Sequence, residues 1–257
     1  MTAARAGSHA TVPPLPPNAW LRWDVVARLL PPPDKAVRVL EVGCGQGSFA
    51  ARLASRYSYV GLEPDAQSYV VAQSRVAAAG GTGEVRNGDL SALAPDEVFD
   101  LVCAFEVIEH IEDDAAALAD WVGRLRPGGS LLLSTPAQQK RFAAWDEVVG
   151  HYRRYDPPVL DALLRSAGLV DIELVHFGMP LGYALEVGRN YAGRKRLAAA
   201  GGTSFEERTS ASGRTLQPGT SLLSRVAEVG TLPFRVAQRR FPGRGTGLVA
   251  KARRAST

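Results

Sequence analysis

Short apolar runs punctuated by glycine organise this chain. Val37-Arg38-Val39-Leu40-Glu41-Val42 is a largely apolar, β-branched run that ends at Gly43-Cys44-Gly45-Gln46-Gly47, and residues 48–54 continue with helical character. A run of this kind bounded by glycines predicts a parallel-sheet strand, so the unit reads as strand, tight turn, helix. Similar runs predict strands at 59–63, 85–90, 99–105 and 130–134, with Leu125-Arg126-Pro127-Gly128-Gly129 closing a helix before the last of these. Asp156 followed by two prolines predicts a helix N-cap, and Gly168 its stop. Residues 169–175 alternate as a strand, and 245–253 predict a short final strand. The connection between those two strands far exceeds the ~2 to 6 residues of an ordinary one, which marks a functional lid or a disordered excursion. Within it, 181–197 and 222–240 have helical character, separated by a Gly-, Ser- and Thr-rich stretch at 198–220. The expectation is two helices and a mobile linker, packed over the carboxyl ends of the strands, the edge where open α/β sheets bind ligands.

Composition narrows the class. A chain of 257 residues, 46% of them hydrophobic, can bury a sizeable core and predicts one domain, or one domain with a cap. No apolar run approaches the ~18 residues that would span a bilayer. Residues 1–17 lack the pattern of a signal peptide, and their Ala, Pro and Thr content predicts a disordered start; cytoplasmic residence is expected. Cys44 and Cys103 offer neither metal-ligand spacing nor a disulfide framework, which predicts reduced, buried thiols. Charge is uneven: residues 1–188 carry 16 Lys and Arg against 23 Asp and Glu, whereas 189–257 carry 14 against 3. That asymmetry points to an anionic partner or substrate at the basic C-terminal region, or to a solvated arginine-rich segment. Aromatic residues are sparse there and no RNA-binding signature occurs, which disfavours nucleic acid.

The glycine turn carries the candidate chemistry. Gly43, Gly45 and Gly47 are spaced G-x-G-x-G and Ser48 stands where a dinucleotide fingerprint needs a small residue, a near miss that is weak evidence alone. Glu41 decides more. A carboxylate two residues before the turn would repel a pyrophosphate but attract a cation bearing an amine and a sulfonium, which favours S-adenosylmethionine over NAD. Glu63 ends the second strand about 20 residues beyond the turn, where an acidic side chain accepts from ribose hydroxyls. Asp89, at the end of the third strand, is placed to accept from an adenine amino group.

The order of E-V-G-C-G-Q-G, Glu63, Asp89, F-D-L-V and L-R-P-G-G resembles the class I S-adenosylmethionine-dependent methyltransferases over roughly residues 19 to 178, and again at the final strand. The resemblance implies a doubly wound, seven-stranded Rossmann-like sheet with an antiparallel last strand and a helical lid insertion. It implies domain limits of 18–178 for the core, 179–240 for a basic lid and 241–257 for the final strand and tail. It also implies that Glu41 and the turn of Gly43, Cys44, Gly45 and Gly47 hold the methionine end. Glu63 and Pro64 would take the ribose, Asp89 and Leu90 the adenine, and Phe105 and Glu106 the wall near the sulfonium.

Methyl transfer needs an aligned nucleophile and often a base for its proton, so histidine is the first candidate. His9 lies in the loose start and His176 near a strand end, whereas His151 follows the fifth strand in G-H-Y-R-R-Y. A similar stretch borders the substrate pocket of related bacterial methyltransferases, which makes His151 the candidate base. Arg153 and Arg154 are candidates for gripping an acceptor carboxylate or phosphate, with at least one pairing to a local acid such as Asp146 or Asp156. Glu106, Glu109 and His110 in E-V-I-E-H resemble a segment implicated in metal binding in ubiquinone-biosynthesis O-methyltransferases. If a helix begins at Glu106, Glu106 and His110 share a face; the blander account is acidic residues favouring a helix start, and no metal is expected. The combined expectation is methyl transfer to a small-molecule acceptor, with oxygen first and nitrogen, carboxylate or carbon open, in a setting compatible with secondary metabolism. The alternatives are an RNA or protein methyltransferase using the basic region, and a cofactor-binding scaffold without catalysis.

Overall fold

Strands that are apolar on both faces need helices above and below them, and the chain supplies these in alternation. The computed structural model describes residues 12–80, 83–199 and 222–256. Helix α1 (Pro17–Leu29) leads into β1 (Arg38–Val42), α2 (Ala50–Ala54), β2 (Ser58–Glu63), α3 (Ala66–Ala78), β3 (Glu84–Asn87) and β4 (Phe99–Phe105). Then come α4 (Asp114–Gly123), β5 (Leu125–Pro136), α5 (Ala144–Val149), α6 (Pro157–Ser166), β6 (Leu169–Gly178), α7 (Leu181–Ala199), α8 (Leu222–Gln238) and β7 (Gly245–Arg254). The strands form one sheet in the order β3-β2-β1-β4-β5-β7-β6. β3 through β5 run parallel and β7 lies antiparallel between β5 and β6, as the family resemblance implied.

Alternation along the strands divides the core in two. Val39 and Cys103 face a layer built on Trp20, Leu21, Trp23 and Val26 of α1 with Phe49 and Tyr57, whereas Leu40 and Val102 face Leu118 and Trp121 of α4 with Leu160 and Leu164 of α6. Both cysteines are buried and free, as expected. The chain order reverses between β1 and β4, so their carboxyl ends open the crevice where such sheets bind ligands.

The structure alters several local expectations. Leu125 to Gly129 does not close a helix: α4 stops at Gly123, and the segment is the irregular start of β5. There the register to β4 shifts between Phe99 and Leu101, and Arg126 pairs with Asp100 at 2.8 Å. A bulge tolerates the glycines and proline that read locally as breakers. The expected disordered start stops short of residue 17, because Leu15 is fully buried and the Pro13 carbonyl accepts from Arg52 at 2.8 Å. Residues 1–11, with His9, lie outside the described residues, as does most of the expected linker at 198–220. β3 ends at Asn87, which leaves Asp89 to cap a short 3-10 turn.

The two expected helices take different places. α7 packs against α5. α8 packs along α1, where Gln238 donates to the Leu21 carbonyl at 2.9 Å and Arg239 pairs with Asp24 at 2.5 Å. Part of the basic C-terminal charge has partners among the described residues: Arg253 pairs with Asp171, Arg254 donates to the Leu125 carbonyl, and Arg235 stacks over Trp20. Among the described residues no helix is long and apolar enough to cross a membrane.

Candidate functional site

A cavity of about 850 Å³ opens at the carboxyl ends of β1 and β4, beneath α1 and α7. Its walls separate into an acidic end around the glycine turn and a histidine- and arginine-bearing end around α5.

At the acidic end the backbone leaves β1 through Gly43, Gly45 and Gly47, all at positive φ. A Cβ on Gly45 would meet nothing within 4 Å, so the backbone there stays open to the cavity it lines. Gly47 serves a different purpose: its Cβ would fall 2.7 Å from Ala72 Cα, so glycine lets α3 pack against the turn, and Gly47 does not line the cavity. Glu41 is buried on β1 and accepts from the Tyr59 hydroxyl at 2.6 Å. Burial pushes its carboxyl up to about 8, against the opposing effects of the Tyr59 hydrogen bond and the Arg22 charge. Glu63 accepts from the Gly45 N–H at 2.7 Å and the Asp65 N–H at 3.0 Å, tying the turn to β2. Burial raises its carboxyl, and those two backbone donors act the other way. Cys44, Pro64 and Phe105 line the same space. Asp89 and Leu90 do not; Asp89 is exposed and accepts from the Ser91 N–H at 2.9 Å.

Glu106 sits between the two ends with φ 57, a left-handed conformation rare for glutamate. Its carboxylate is held by Arg22 at 3.0 Å and by the Ser134 hydroxyl at 3.0 Å. Burial works to raise its pKa, but Arg22, Ser134 and the His151 charge outweigh it and hold the carboxyl below its ordinary value. Strain of this kind, clamped by an ion pair, is a mark of functional sites. It also overturns the expected helical face of E-V-I-E-H: the turn at Ile108–His110 is 3-10, and Glu106 points to Arg22 rather than alongside His110. Glu109 and His110 instead meet His151, with ligand-capable atoms within 4.8 Å of one another. One carboxylate and two imidazoles form a donor set suited to a transition-metal ion more than to magnesium. Burial and the Glu106 charge raise Glu109 well above the ordinary carboxylate range, and burial with the His151 charge lowers His110 to about 4.

His151 is positioned by local chain geometry. α5 ends at Gly150 in a left-handed cap, and the next residue's N–H returns to the Asp146 carbonyl at 2.9 Å. The His151 Nδ1–H then donates to Asp146 Oδ1 at 2.8 Å. Nε2 has no hydrogen bond among the described residues and lies 3.9 Å from Glu109 Oε1. Asp146 is buried and also takes Arg154 Nε at 2.8 Å and Nη2 at 2.7 Å. Burial would raise Asp146, but His151 and Arg154 hold it down at about 2. Arg154 continues to Glu186 on α7, which Arg141 also grips. Arg153 lies outside the cavity, paired with Asp114 at 2.5 Å and donating to the Glu112 carbonyl at 2.7 Å. Both arginines therefore pair with local acids, Asp114 and Asp146 rather than Asp156.

Sequence reasoning passed over Asn18 and Arg22 on α1 and Glu186 and Arg189 on α7, all of which line the cavity. The available signal is helical spacing: Asn18 and Arg22 stand at i,i+4 among buried Ala19, Trp20, Leu21 and Trp23, and Glu186 and Arg189 at i,i+3.

A family model described as a methyltransferase domain matches residues 18–174. The chain is 37% identical over 105 residues to a ubiquinone biosynthesis O-methyltransferase of Azorhizobium caulinodans, covering 40% of this chain and 42% of that one. It is 32% identical over 163 residues to the ubiquinone biosynthesis O-methyltransferase of Xanthomonas axonopodis pv. citri, covering 56% and 66%. The chain thus spans less than two thirds of the length of these curated relatives. Among solved structures, an S-adenosylmethionine dependent methyltransferase from Mesorhizobium loti has a TM-score of 0.58 at 16% identity, covering 91% of this chain and 98% of that one. Haemonchus contortus phosphoethanolamine N-methyltransferase 2 in complex with S-adenosyl-L-methionine also has a TM-score of 0.58, at 18% identity, covering 96% and 54%. At such identities the structural likeness speaks for the fold alone.

Proposed function

The chain belongs to the class I S-adenosylmethionine-dependent methyltransferases, and from that premise we propose that it methylates a hydroxyl oxygen of a small-molecule acceptor with His151 as base. The observation that carries this reading is the Asp146–His151 pair, which lines the same cavity as the acidic glycine-turn end. That acidic end fits the cofactor. Glu41 and Glu63 suit cationic and hydroxyl-bearing groups, and Gly45 leaves its backbone open to them. When bound, S-adenosylmethionine supplies a methyl group activated by its sulfonium.

Asp146 fixes the Nδ1–H tautomer of His151, which leaves the Nε2 lone pair to take a proton from the acceptor hydroxyl. The imidazolium so formed is stabilised by the same carboxylate. Arg154 and Glu186 brace Asp146 from behind, and α7 lines that end of the cavity with Glu186 and Arg189. Relatives named as O-methyltransferases support oxygen as the methylated atom. Pairing of Arg239 with Asp24 and of Arg253 with Asp171 reduces the free basic charge that a nucleic-acid acceptor would meet.

The test is incubation with methyl-labelled S-adenosylmethionine and a cell extract separated into small-molecule, nucleic-acid and protein fractions. Label is expected in the small-molecule fraction, as an alkali-stable ether. His151→Ala should lower that transfer at least about a hundredfold while leaving cofactor affinity intact. Label confined to nucleic acid or protein, or an unchanged rate in the variant, refutes the assignment.

A further inference from the structure

The guanidinium groups at the histidine end are accounted for with one exception. Arg22 pairs with Glu106, and Arg154 with Asp146 and Glu186; Arg141 stands behind Glu186 and pairs with it. Arg189 lines the cavity on α7 and, among the described residues, has no carboxylate partner; its Nε is buried without any hydrogen bond. Glu106, Asp146 and Glu186 are thus each committed to another arginine.

Arg189 is also held in place. One turn before it, Glu186 is locked by Arg154 and Arg141. One residue after it, Asn190 Oδ1 accepts from the Trp145 N–H at 3.3 Å. Gly193 then brings α7 against α5 so closely that a Cβ there would fall 2.9 Å from Trp145 N. Helix α7 is therefore fixed in rotation on both sides of Arg189. Burial lowers the pKa of this guanidinium, with Glu106 and Glu186 opposing the shift. A partly buried cation without an ion-pair partner costs stability, and Glu106 and Glu186 offset that only from beyond ion-pair distance.

We propose that Arg189 is the anion-recognising residue of the acceptor site, and that the acceptor carries a carboxylate or phosphate remote from the hydroxyl that is methylated. This rests on the reading of the histidine end as the acceptor site. A planar guanidinium binds either oxyanion in bidentate fashion. Its fixed position would orient the acceptor so that the hydroxyl meets His151, which makes Arg189 a determinant of specificity.

Thermal unfolding in the presence of S-adenosylhomocysteine tests this, with sodium benzoate or inorganic phosphate at about 20 mM and ionic strength held constant with chloride. An anion of millimolar affinity raises the midpoint of the wild type by about 4 °C or more. Arg189→Gln and Arg189→Leu should lose that rise while still binding S-adenosylhomocysteine, and Arg165→Gln, on the exposed face of α6, should keep it. A rise with benzoate alone assigns a carboxylate, and with phosphate alone a phosphate. No rise in the wild type, or a rise that survives in whichever Arg189 variant folds, overturns the proposal. Labelled transfer separates the two readings. Arg189-dependent anion binding without transfer to any small molecule refutes O-methylation alone, whereas transfer to uncharged acceptors by a protein that binds neither anion refutes the role of Arg189 alone.

Discussion

Asp146→Asn separates catalysis from structure at this site. The carboxylate accepts four hydrogen bonds, from His151 Nδ1, Arg154 Nε, Arg154 Nη2 and the Ala143 N–H, at 2.7 to 2.9 Å. An amide of the same shape replaces one oxygen with a donor, so at least two of those donors face an N–H. If the amide nitrogen turns toward His151, the ring must present its Nδ1 lone pair and carry its proton on Nε2. The base is then blocked by its own proton. Breaking the buried pair with Arg154 costs about 3 to 5 kcal/mol, or a fall of roughly 6 to 20 °C in Tm for a chain of this size. Turnover of the folded fraction should fall by about 10² to 10⁴, the range for lost acid–base catalysis.

Glu186→Gln is the control, because it loosens the same Arg154 without touching His151. It should lower Tm by a comparable amount yet keep turnover of the folded enzyme within about tenfold of the wild type, its effect appearing mainly in KM. Acid titration gives a second check. Asp146 lies at about 2 in the fold against an ordinary value of 3.8. A depressed carboxylate contributes stability that is fully present above about pH 4 and is lost as pH falls toward 2, here about 2 kcal/mol. That acid-dependent loss should be missing from Asp146→Asn. Equal losses of turnover in the two variants at matched folded fraction would refute a role for Asp146 beyond bracing the fold.

Other predictions follow from the cofactor end and the histidine cluster. Burial holds Glu41 at about 8, so a cationic ligand that needs the carboxylate must displace a proton at lower pH. S-adenosylmethionine affinity measured by calorimetry should rise with pH toward 8 and release protons near pH 7; pH-independent affinity between 6.5 and 8.5 would contradict this. Gly45→Ala should fold with a penalty of about 1 to 2 kcal/mol from its positive φ but lose cofactor affinity, because its new methyl enters the open cavity wall. Gly47→Ala should lower Tm more, since its methyl collides with α3 at Ala72. Proton transfer by His151 alone requires turnover to survive dialysis against EDTA; loss restored by added zinc would assign Glu109, His110 and His151 to an ion instead.

The parts of the fold that were legible are those whose signal is local. The run from Val37 to Gly47 announces a buried strand and a turn at positive φ, and the same few residues carry Glu41 into the cavity. The start of β5 was not legible, because its extended form depends on pairing with β4 and on Asp100 meeting Arg126, residues far apart in sequence. Glu106 failed for a different reason. Spacing in E-V-I-E-H assumes helical φ throughout, and a single left-handed residue, paid for by Arg22 of α1, redirects its carboxylate.

Arg22, Glu186 and Arg189 make a more general point about where acceptor specificity resides in this chain. The cofactor end is assembled from β1, β2 and the turns that follow them, so one continuous stretch displays it. The histidine end closes only when α1, the turn after β4, α5 and α7 converge, and each contributes charges whose partners lie on another element. A charged side chain on a helix reads locally as a solvated face. Burial turns such a charge into a constraint, because each one must then find a partner across the fold or take it from a ligand. By that criterion Arg22 and Glu186 find their charge partners within the protein, although Arg22 Nε is itself left without a hydrogen bond, and the position that awaits the acceptor is Arg189, which has no carboxylate partner among the described residues.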